Sequence, residues 1–230
     1  MKKAVVLSSG GVDSTTCMAV ARSEEFEIYS ITFDYGQRHR CEIESAKKAA
    51  KFFNVREHFI FEIDLRSIGA SALVTEIDVP KGRRVEDISG KIPLTYVPAR
   101  NMIFLSVAAA YAESIGAGDI FAGMNSIDYS GYPDCRPEFV HAFEKTINLG
   151  TKAGAEGGGI KINAPLISLR KKQIIELGAQ LGVDWSLTWS CYDPVERAGK
   201  TLACGQCDSC LLRLKGFAEA AINDPIQYIQ

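Results

Sequence analysis

The sequence is short of several features that would commit it to a special environment. It has no stretch near the roughly 18 consecutive apolar residues of a membrane-spanning helix. The apolar run after Lys3 stops at Ser8, before it reaches the length of a signal-peptide core. Neither sign of charge is in large excess, since the net charge is −2 and no basic tail is present. We therefore expect no membrane and no nucleic-acid partner, and a cytoplasmic location.

Histidine is scarce as well, and His39, His58 and His141 form no pattern with a nucleophile. The seven cysteines are expected in a reducing compartment, where clustered thiols are metal ligands more often than disulfides. What is abundant is core material, because 47% of the 230 residues are hydrophobic. That length and composition suit one α/β domain with a small appendage.

Apolar runs and helical patterns alternate along the chain, which predicts an α/β fold with a doubly wound, mostly parallel sheet and helices on both faces. Strands are predicted at residues 3–8, 27–33, 58–63 and 119–123, with an extended segment at 160–166. Helices are predicted at residues 13–22, 40–53, 101–115, 137–149 and 170–182. We expect residues 1–183 to form the core and residues 184–230 a cysteine-rich, helical C-terminal tail that packs on it as a module.

Three segments carry more specific expectations. Residues 101–115 are apolar nearly all round, which predicts a helix buried in the interior. Residues 66–95 mix glycine, proline and charge, and are predicted to be a loop. The glycine-rich residues 150–159 are predicted to be a mobile surface loop. Ser168 is expected to cap the helix that follows it.

A glycine-rich loop lies between the first strand and the first helix, with the sequence SSGGVDS at residues 8–14. Glycine lets a backbone approach phosphate oxygens, and the N–H groups at a helix N-terminus attract negative charge. It lacks the Gly-Lys-Ser/Thr ending of a Walker A loop. It resembles the loop of the PP-loop ATP pyrophosphatases, which holds the departing pyrophosphate of ATP. The resemblance implies an ATP-binding set of Ser8, Ser9, Gly10, Gly11, Val12, Asp13, Ser14 and Thr15. Asp13 is either a plain helix N-terminal acid or a ligand of the Mg²⁺ that accompanies ATP.

Four cysteines near the C-terminus have metal-ligand spacing, C-x12-C-x2-C-x2-C, at Cys191, Cys204, Cys207 and Cys210. Four thiolates surround one tetrahedral Zn²⁺ and leave no open position, so the predicted metal is structural. An iron–sulfur cluster and a set of free buried thiols are the alternatives.

Two polar segments are candidate ligand sites, and the second of them follows a predicted strand at the carboxyl edge of the sheet, where open α/β sheets bind ligands. Arg100 and Asn101 begin a helix, where the dipole disfavours a cation, so Arg100 meets either an anionic ligand or a surface ion pair. Residues 123–136 follow a predicted strand and contain amides, carboxylates and phenols. They form either a ligand-binding loop or a plain surface turn. From this placement the predicted substrate-binding residues are Arg100, Asn101, Asn125, Asp128, Tyr129 and Asp134, and the predicted catalytic residues are Asp13 and Arg100.

The chain resembles the 7-cyano-7-deazaguanine synthase family of the queuosine precursor pathway over nearly its whole length. The resemblance rests on the glycine loop, on FDYGQRH at residues 33–39, on Arg100-Asn101, on DYSGYPDCR at residues 128–136 and on CGQCDSC at residues 204–210. Ala99 stands where that family pattern leads us to expect glycine.

The resemblance implies a PP-loop fold of the adenine nucleotide α-hydrolase type and a specific reaction. ATP adenylates a 7-carboxy-7-deazaguanine, ammonia displaces AMP to give the amide, and a second ATP converts the amide to the nitrile. It also implies a homodimer. A PP-loop tRNA thiolase, with Cys135 as its nucleophile, and a non-catalytic zinc-module interaction protein are the rival interpretations.

Overall fold

Five short apolar strands form one parallel sheet. The protein is represented by a computed structural model that describes residues 1–69, 71–84, 88, 92–127 and 132–229. The strands are β1 (Lys3–Leu7), β2 (Glu27–Asp34), β3 (Glu57–Glu62), β4 (Asp119–Ala122) and β5 (Lys161–Asn163). Their order is β3-β2-β1-β4-β5, and each neighbouring pair is parallel. The strand order reverses beside β1, so a crevice opens between the carboxyl ends of β1 and β4.

Seven helices accompany the sheet in the described part of the chain: α1 (Val12–Ser23), α2 (Cys41–Phe52), α3 (Arg100–Ile115), α4 (Pro137–Gly150), α5 (Lys152–Ala155), α6 (Lys171–Gln180) and α7 (Asp208–Glu219). Successive strand side chains point to opposite faces. Val5 joins a core cluster with residues of α3 and α4, whereas Ala4 and Val6 join a second cluster with residues of α1 and α6. The predicted doubly wound sheet is therefore confirmed, and no described helix is long and apolar enough to cross a membrane.

The expectation of a fully buried helix at residues 101–115 is wrong. Leu105, Ala108, Ala109 and Ala112 of α3 are buried, but Met102 is 44% exposed and the residues one and two turns further along its side are also exposed. The exposed stripe consists mostly of alanine and serine. Alanine counts as apolar in a sequence pattern, yet its small side chain tolerates either environment.

Two further expectations need correction. Residues 150–159 are not simply a loop, because they contain α5, which Thr151 caps by accepting a hydrogen bond from Gly154 N at 3.3 Å. Glycine is needed at residue 154 because a Cβ there would overlap the backbone of Asn148. Helix α6 begins at Lys171, and Arg170 rather than Ser168 is its N-cap, with Arg170 N donating to Gln173 Oε1 at 2.9 Å.

The C-terminal segment contains a hairpin of β6 (Val195–Arg197) and β7 (Lys200–Leu202) besides α7, so the expected helical tail is only partly helical. Helix α7 packs on α6, and Phe217 lies against Trp185 in the core cluster of α1 and α6. Residues 82 and 83 of the predicted loop contact this segment. Gly82 N donates to Gln206 O at 2.9 Å, and the Arg83 guanidinium pairs with Asp208, which is 1% exposed.

Candidate active site

The glycine loop follows β1 and leads directly into α1. Its hydroxyls hold it from within, because Ser9 Oγ donates to Ser14 Oγ at 3.1 Å and Ser14 Oγ lies 3.2 Å from Gly11 O. Within the described part of the chain, no side-chain cap is found at the start of α1, although Ser9 Oγ accepts from Gly11 N at 3.4 Å. The N–H groups at this helix terminus are therefore available to an anion, as the sequence led us to expect.

The two glycines of the loop have different tasks. Gly10 has a φ of +76°, and a Cβ there would lie 2.5 Å from Ala46 N in α2. Gly11 has a φ of −81°, and a Cβ there would meet only Ser9 Oγ at 3.4 Å and Trp189 O at 3.5 Å. Glycine at residue 10 thus allows the loop to pack on α2, whereas glycine at residue 11 leaves room on the open side of the loop.

An ion pair lies at the mouth of the loop. Lys171 Nζ, in the first turn of α6, is 2.5 Å and 2.7 Å from the two carboxylate oxygens of Asp13. Lys171 is largely buried, with 12% of its side chain exposed. This places a cation and a carboxylate beside the N-terminus of α1. An anionic ligand that bound there would replace the Asp13 carboxylate as the partner of Lys171.

Arg100 begins α3 on the opposite side of the crevice. Its guanidinium donates to Tyr35 Oη at 3.3 Å and lies over the ring of the same tyrosine at 5.6 Å from the centroid. Among the described residues, no carboxylate lies within ion-pair distance of it. The surface ion pair considered from the sequence is therefore not found in the described part of the molecule, and a cation faces the cavity.

Ala99, which precedes Arg100, has a φ of +55°. This is the left-handed region that favours glycine, which gives a physical reason for the glycine expected there.

These groups line one cavity of about 270 Å³. Of the residues predicted from the sequence, the following line it: Ser8, Ser9, Gly11, Val12, Asp13, Ser14, Arg100, Asn101 and Asn125. Ser8 Oγ is buried and has no hydrogen-bond partner among the described residues, so it offers the cavity an uncommitted hydroxyl. Two distant parts of the sequence, the glycine loop and the start of α3, thus meet at the crevice beside β1.

The other predicted residues are placed differently. Gly10 packs on α2 and Thr15 is buried within α1, behind the cavity wall. Asp134 does not line the cavity either. Its Oδ2 accepts from Asn101 N at 3.0 Å and so fixes the start of α3. Asn125 lines the cavity, but its amide donates to the backbone carbonyls of Leu166 and Leu169. Asp128 and Tyr129 lie outside the described residues.

Sequence reasoning missed several cavity residues. Lys171 is a cation at the first position of a helix, the same signal that drew attention to Arg100. Glu42 is an acid in the first turn of α2, which is too ordinary a position to stand out. The C-terminal segment supplies Trp189, Ser190, Tyr192, Ser209, Leu212 and Arg213. These residues reach the cavity because of how the C-terminal segment packs, and no local sequence pattern predicts that packing.

Cys135 also lines the cavity, as a thiolase would require. Burial raises the pKa of its thiol to about 12, so the thiol is neutral near pH 7. Asn101 Nδ2 lies 3.2 Å from Cys135 Sγ. A nucleophilic cysteine needs a lowered pKa, so this site does not fit that role.

The four predicted metal ligands come together. All four cysteines are buried, and their Sγ atoms lie within 4.8 Å of one another. Four sulfurs at about 2.3 Å from one tetrahedral ion would be about 3.8 Å apart. Cys204 N donates to Cys191 Sγ at 3.2 Å, and Cys207 N donates to Cys204 Sγ at 3.3 Å. Such donors stabilise thiolates, so the cluster fits a tetrathiolate metal site.

The sheet order, the glycine loop at the end of β1 and the facing cations define a class of protein, the PP-loop α/β proteins of the ATP pyrophosphatase type. The fold is similar to a crystal structure of a predicted subunit of a tRNA methyltransferase from Methanocaldococcus jannaschii. That match has a TM-score of 0.50 and 18% identity, and covers 78% of this chain and 76% of the other. At this identity the likeness concerns the fold alone.

The family is narrower. The model of the family described as "Queuosine biosynthesis protein QueC" matches residues 3–221, and the chain belongs to this family. Two relatives are each called "7-cyano-7-deazaguanine synthase". The one from Geotalea uraniireducens is 58% identical over 100% of this chain and 98% of the relative. The one from Desulfatibacillum aliphaticivorans is 58% identical over 99% of this chain and 97% of the relative.

Proposed function

We propose that the chain is an ATP-dependent ligase that converts a 7-carboxy-7-deazaguanine and ammonia to the 7-cyano compound, with release of AMP and pyrophosphate. The observation that carries this proposal is the meeting of the glycine loop, the Asp13–Lys171 pair and Arg100 in one cavity. The identity of 58% to relatives named for this synthase supports the same activity. The thiolase and the non-catalytic interaction protein are not favoured.

The glycine loop and Lys171 would bind the triphosphate. The N–H groups at the start of α1 and the uncommitted Ser8 hydroxyl would donate to phosphate oxygens. Lys171 would contact the departing pyrophosphate, which gains charge as the bond to the α phosphate breaks. Asp13, freed from Lys171, would then be the carboxylate that holds Mg²⁺, a cation that neutralises charge on the phosphates.

Arg100 would act where the substrate carboxylate attacks the α phosphate, away from the departing pyrophosphate. A carboxylate that attacks a phosphate brings two anions together, and a cation between them lowers that repulsion. Arg100 is held in place by Tyr35 and by the Asp134 contact to the next residue, Asn101. We therefore assign Arg100 to the substrate carboxylate or the α phosphate, Asn101 to the edge of the same site, and Asp128 and Tyr129 to the deazaguanine ring.

We assign the four cysteines to one structural Zn²⁺. The donor set of four thiols with backbone N–H donors supports zinc ligation, and it leaves no ligand position open for substrate. The division into a core of residues 1–183 and a metal-binding module of residues 184–230 is part of the proposal. The packing of α7 on α6 supports a module that lies on the core.

The proposal also includes a homodimer, which the family resemblance implies, and a cytoplasmic location. Free thiols at all seven cysteines and a tetrathiolate site both require reducing conditions. Light scattering of the purified protein would test the dimer by its mass.

The decisive experiment is mass spectrometry of the products after incubation with ATP, Mg²⁺, ammonium chloride and 7-carboxy-7-deazaguanine. We expect the amide to appear first and the nitrile later, with two AMP and two pyrophosphate per nitrile. Omission of ammonia should leave only the first adenylate. If AMP forms without substrate, or if the carboxylate is unchanged after many turnovers, the proposal is wrong.

A further inference from the structure

Glu42 is a cavity residue to which the function above assigns no task. It lies in the first turn of α2, and the same helix packs on Gly10 of the glycine loop. Glu42 lines the cavity, and its carboxyl group interacts electrostatically with Arg100, another lining residue. Among the described residues, no donor or cation lies within hydrogen-bond or ion-pair distance of that carboxyl. A half-buried carboxyl group without a partner is costly unless it serves a ligand.

The surroundings of Glu42 adjust its acidity. Burial raises the pKa of Glu42 to about 7, although the nearby Arg100 cation works against the rise. The other titratable or charged groups that line the cavity are Asp13 from α1, Tyr35 after β2, Tyr132 and Cys135, Lys171 from α6, Tyr192 and Arg213 from α7. Asp13 is neutralised by Lys171, and the buried Tyr35 has a pKa raised to about 12. Glu42 is thus the acid in the cavity that is both unpaired and able to change protonation near pH 7.

The ligation contains two steps that need a base. When ammonia adds to the adenylated carbonyl, its nitrogen becomes positive and must lose a proton before AMP leaves. When the adenylated amide becomes a nitrile, the nitrogen loses its remaining protons. In that step the N–H electrons form the third carbon–nitrogen bond, and the carbon–oxygen electrons leave with AMP. Adenylation itself, in contrast, transfers no proton.

We propose that Glu42 is the general base of the steps that follow adenylation, in which its carboxylate accepts a proton from the substrate nitrogen. This inference rests on the proposed function. After each transfer, the neutral Glu42 acid returns its proton to water before it accepts the next one. The same carboxylate serves both steps, because the nitrogen occupies the same position in the amide and in the nitrile.

The test separates adenylation from the nitrogen steps in Glu42→Gln, which keeps the side-chain volume and removes the base. Adenylation is followed by substrate-dependent exchange of labelled pyrophosphate into ATP without ammonia. Amide and nitrile formation are followed by mass spectrometry. We expect exchange within about threefold of the parent, and amide and nitrile formation slower by roughly 10²- to 10⁴-fold. Glu44→Gln is the matched control, since Glu44 is exposed on the same helix and pairs with Lys47; it should leave both rates unchanged.

The pH dependence of the rate of amide formation is a second test, because a merely structural role of Glu42 would not change it. In the parent, with the concentration of free NH3 held constant across the series, amide formation from preformed adenylate should rise with pH through about 7 and then level off, because the carboxylate is the active form. Glu42→Gln should lose this inflection, and Glu42→Asp should restore part of the rate. Circular dichroism and thermal unfolding of each variant would verify that the fold is kept.

Three outcomes are decisive. Normal amide formation by Glu42→Gln overturns the inference, and so does an equal loss of exchange and of amide formation in the folded variant, which would make Glu42 a positioning residue of the loop. Failure of the parent to exchange pyrophosphate with 7-carboxy-7-deazaguanine would instead refute the proposed function itself. The parent measurement therefore distinguishes the two failures.

Discussion

The two walls of the cavity are built in different ways. The phosphate-loop wall is a continuous segment, residues 8–14, held by β1, α1 and its own serine hydroxyls. A second wall, which we call the cysteine wall, consists of Trp189, Ser190, Tyr192, Ser209, Leu212 and Arg213. Most of these residues are close neighbours of the metal-ligand cysteines. The first wall is thus specified by secondary structure, whereas the second depends on the packing of four cysteines from distant positions.

The cysteine wall adjoins the glycine loop where Trp189 N donates to Gly10 O at 2.9 Å. Arg213, in contrast, is held within the C-terminal segment, because it donates two hydrogen bonds of 2.8 Å to Asp224. A change confined to one wall should therefore have separable consequences. Loss of the metal should remove the cysteine wall, whereas changes in the phosphate loop should affect nucleotide handling or the packing of α2.

The largest effect is expected from loss of the metal. Cys207→Ser or strong chelation should abolish zinc binding and destabilise the C-terminal segment, because a tetrathiolate site contributes on the order of 10 kcal/mol of apparent binding free energy. The measurement is metal content by mass spectrometry together with thermal unfolding, and one zinc per parent chain is expected. Cys41→Ser is the control, since Cys41 lies outside the cluster. Absorbance near 400 nm or iron in the parent would contradict the zinc assignment.

The next effect compares the two loop glycines. Gly10→Ala should destabilise the protein by about 2–5 kcal/mol, because it combines left-handed strain with overlap onto the backbone of α2. Gly11→Ala should unfold close to the parent, since its Cβ has only ordinary contacts, while Gly11→Val should abolish AMP and pyrophosphate production. Denaturant unfolding and a pyrophosphate assay report the two properties. Equal stability of both alanine variants would mean that α2 does not constrain the loop.

A smaller effect is expected at the ion pair beside the loop. Lys171→Ala should slow adenylation by roughly 10²-fold, because one charge that stabilises the departing pyrophosphate is removed. Lys172→Ala is the control, as Lys172 is exposed on the same helix and pairs with Glu176. Steady-state release of pyrophosphate measures both. If the two variants behave alike, the Asp13–Lys171 pair has a structural role only.

The smallest effect concerns the backbone before Arg100. Ala99→Gly should stabilise the protein by about 0.5–1 kcal/mol, because relief of left-handed strain exceeds the added freedom of the unfolded chain. Chemical denaturation is the measurement, and Ala110→Gly, at an exposed helical position, should instead destabilise by a similar amount. A destabilised Ala99→Gly would show that residue 99 is not strained.

Sequence reasoning was most successful where chemistry is local. The glycine loop, the alternation of strands and helices, and the cysteine spacing each lie within a short segment, so their residue types carry the information. It failed for α3, whose alanines and serines suit either a buried or an exposed face. It failed again for α5, because the close approach of Gly154 to Asn148 depends on packing.

The sequence by itself determined the parallel α/β class, the glycine loop between β1 and α1, the set of four cysteines and the family. Tertiary structure alone decided which distant groups face that loop. Lys171 reaches Asp13 across 158 positions, and Glu42 enters the cavity because α2 packs on Gly10. An ion pair or a buried carboxyl depends on distance and on exclusion of water, and both are set only when the sheet, the helices and the cysteine wall come together.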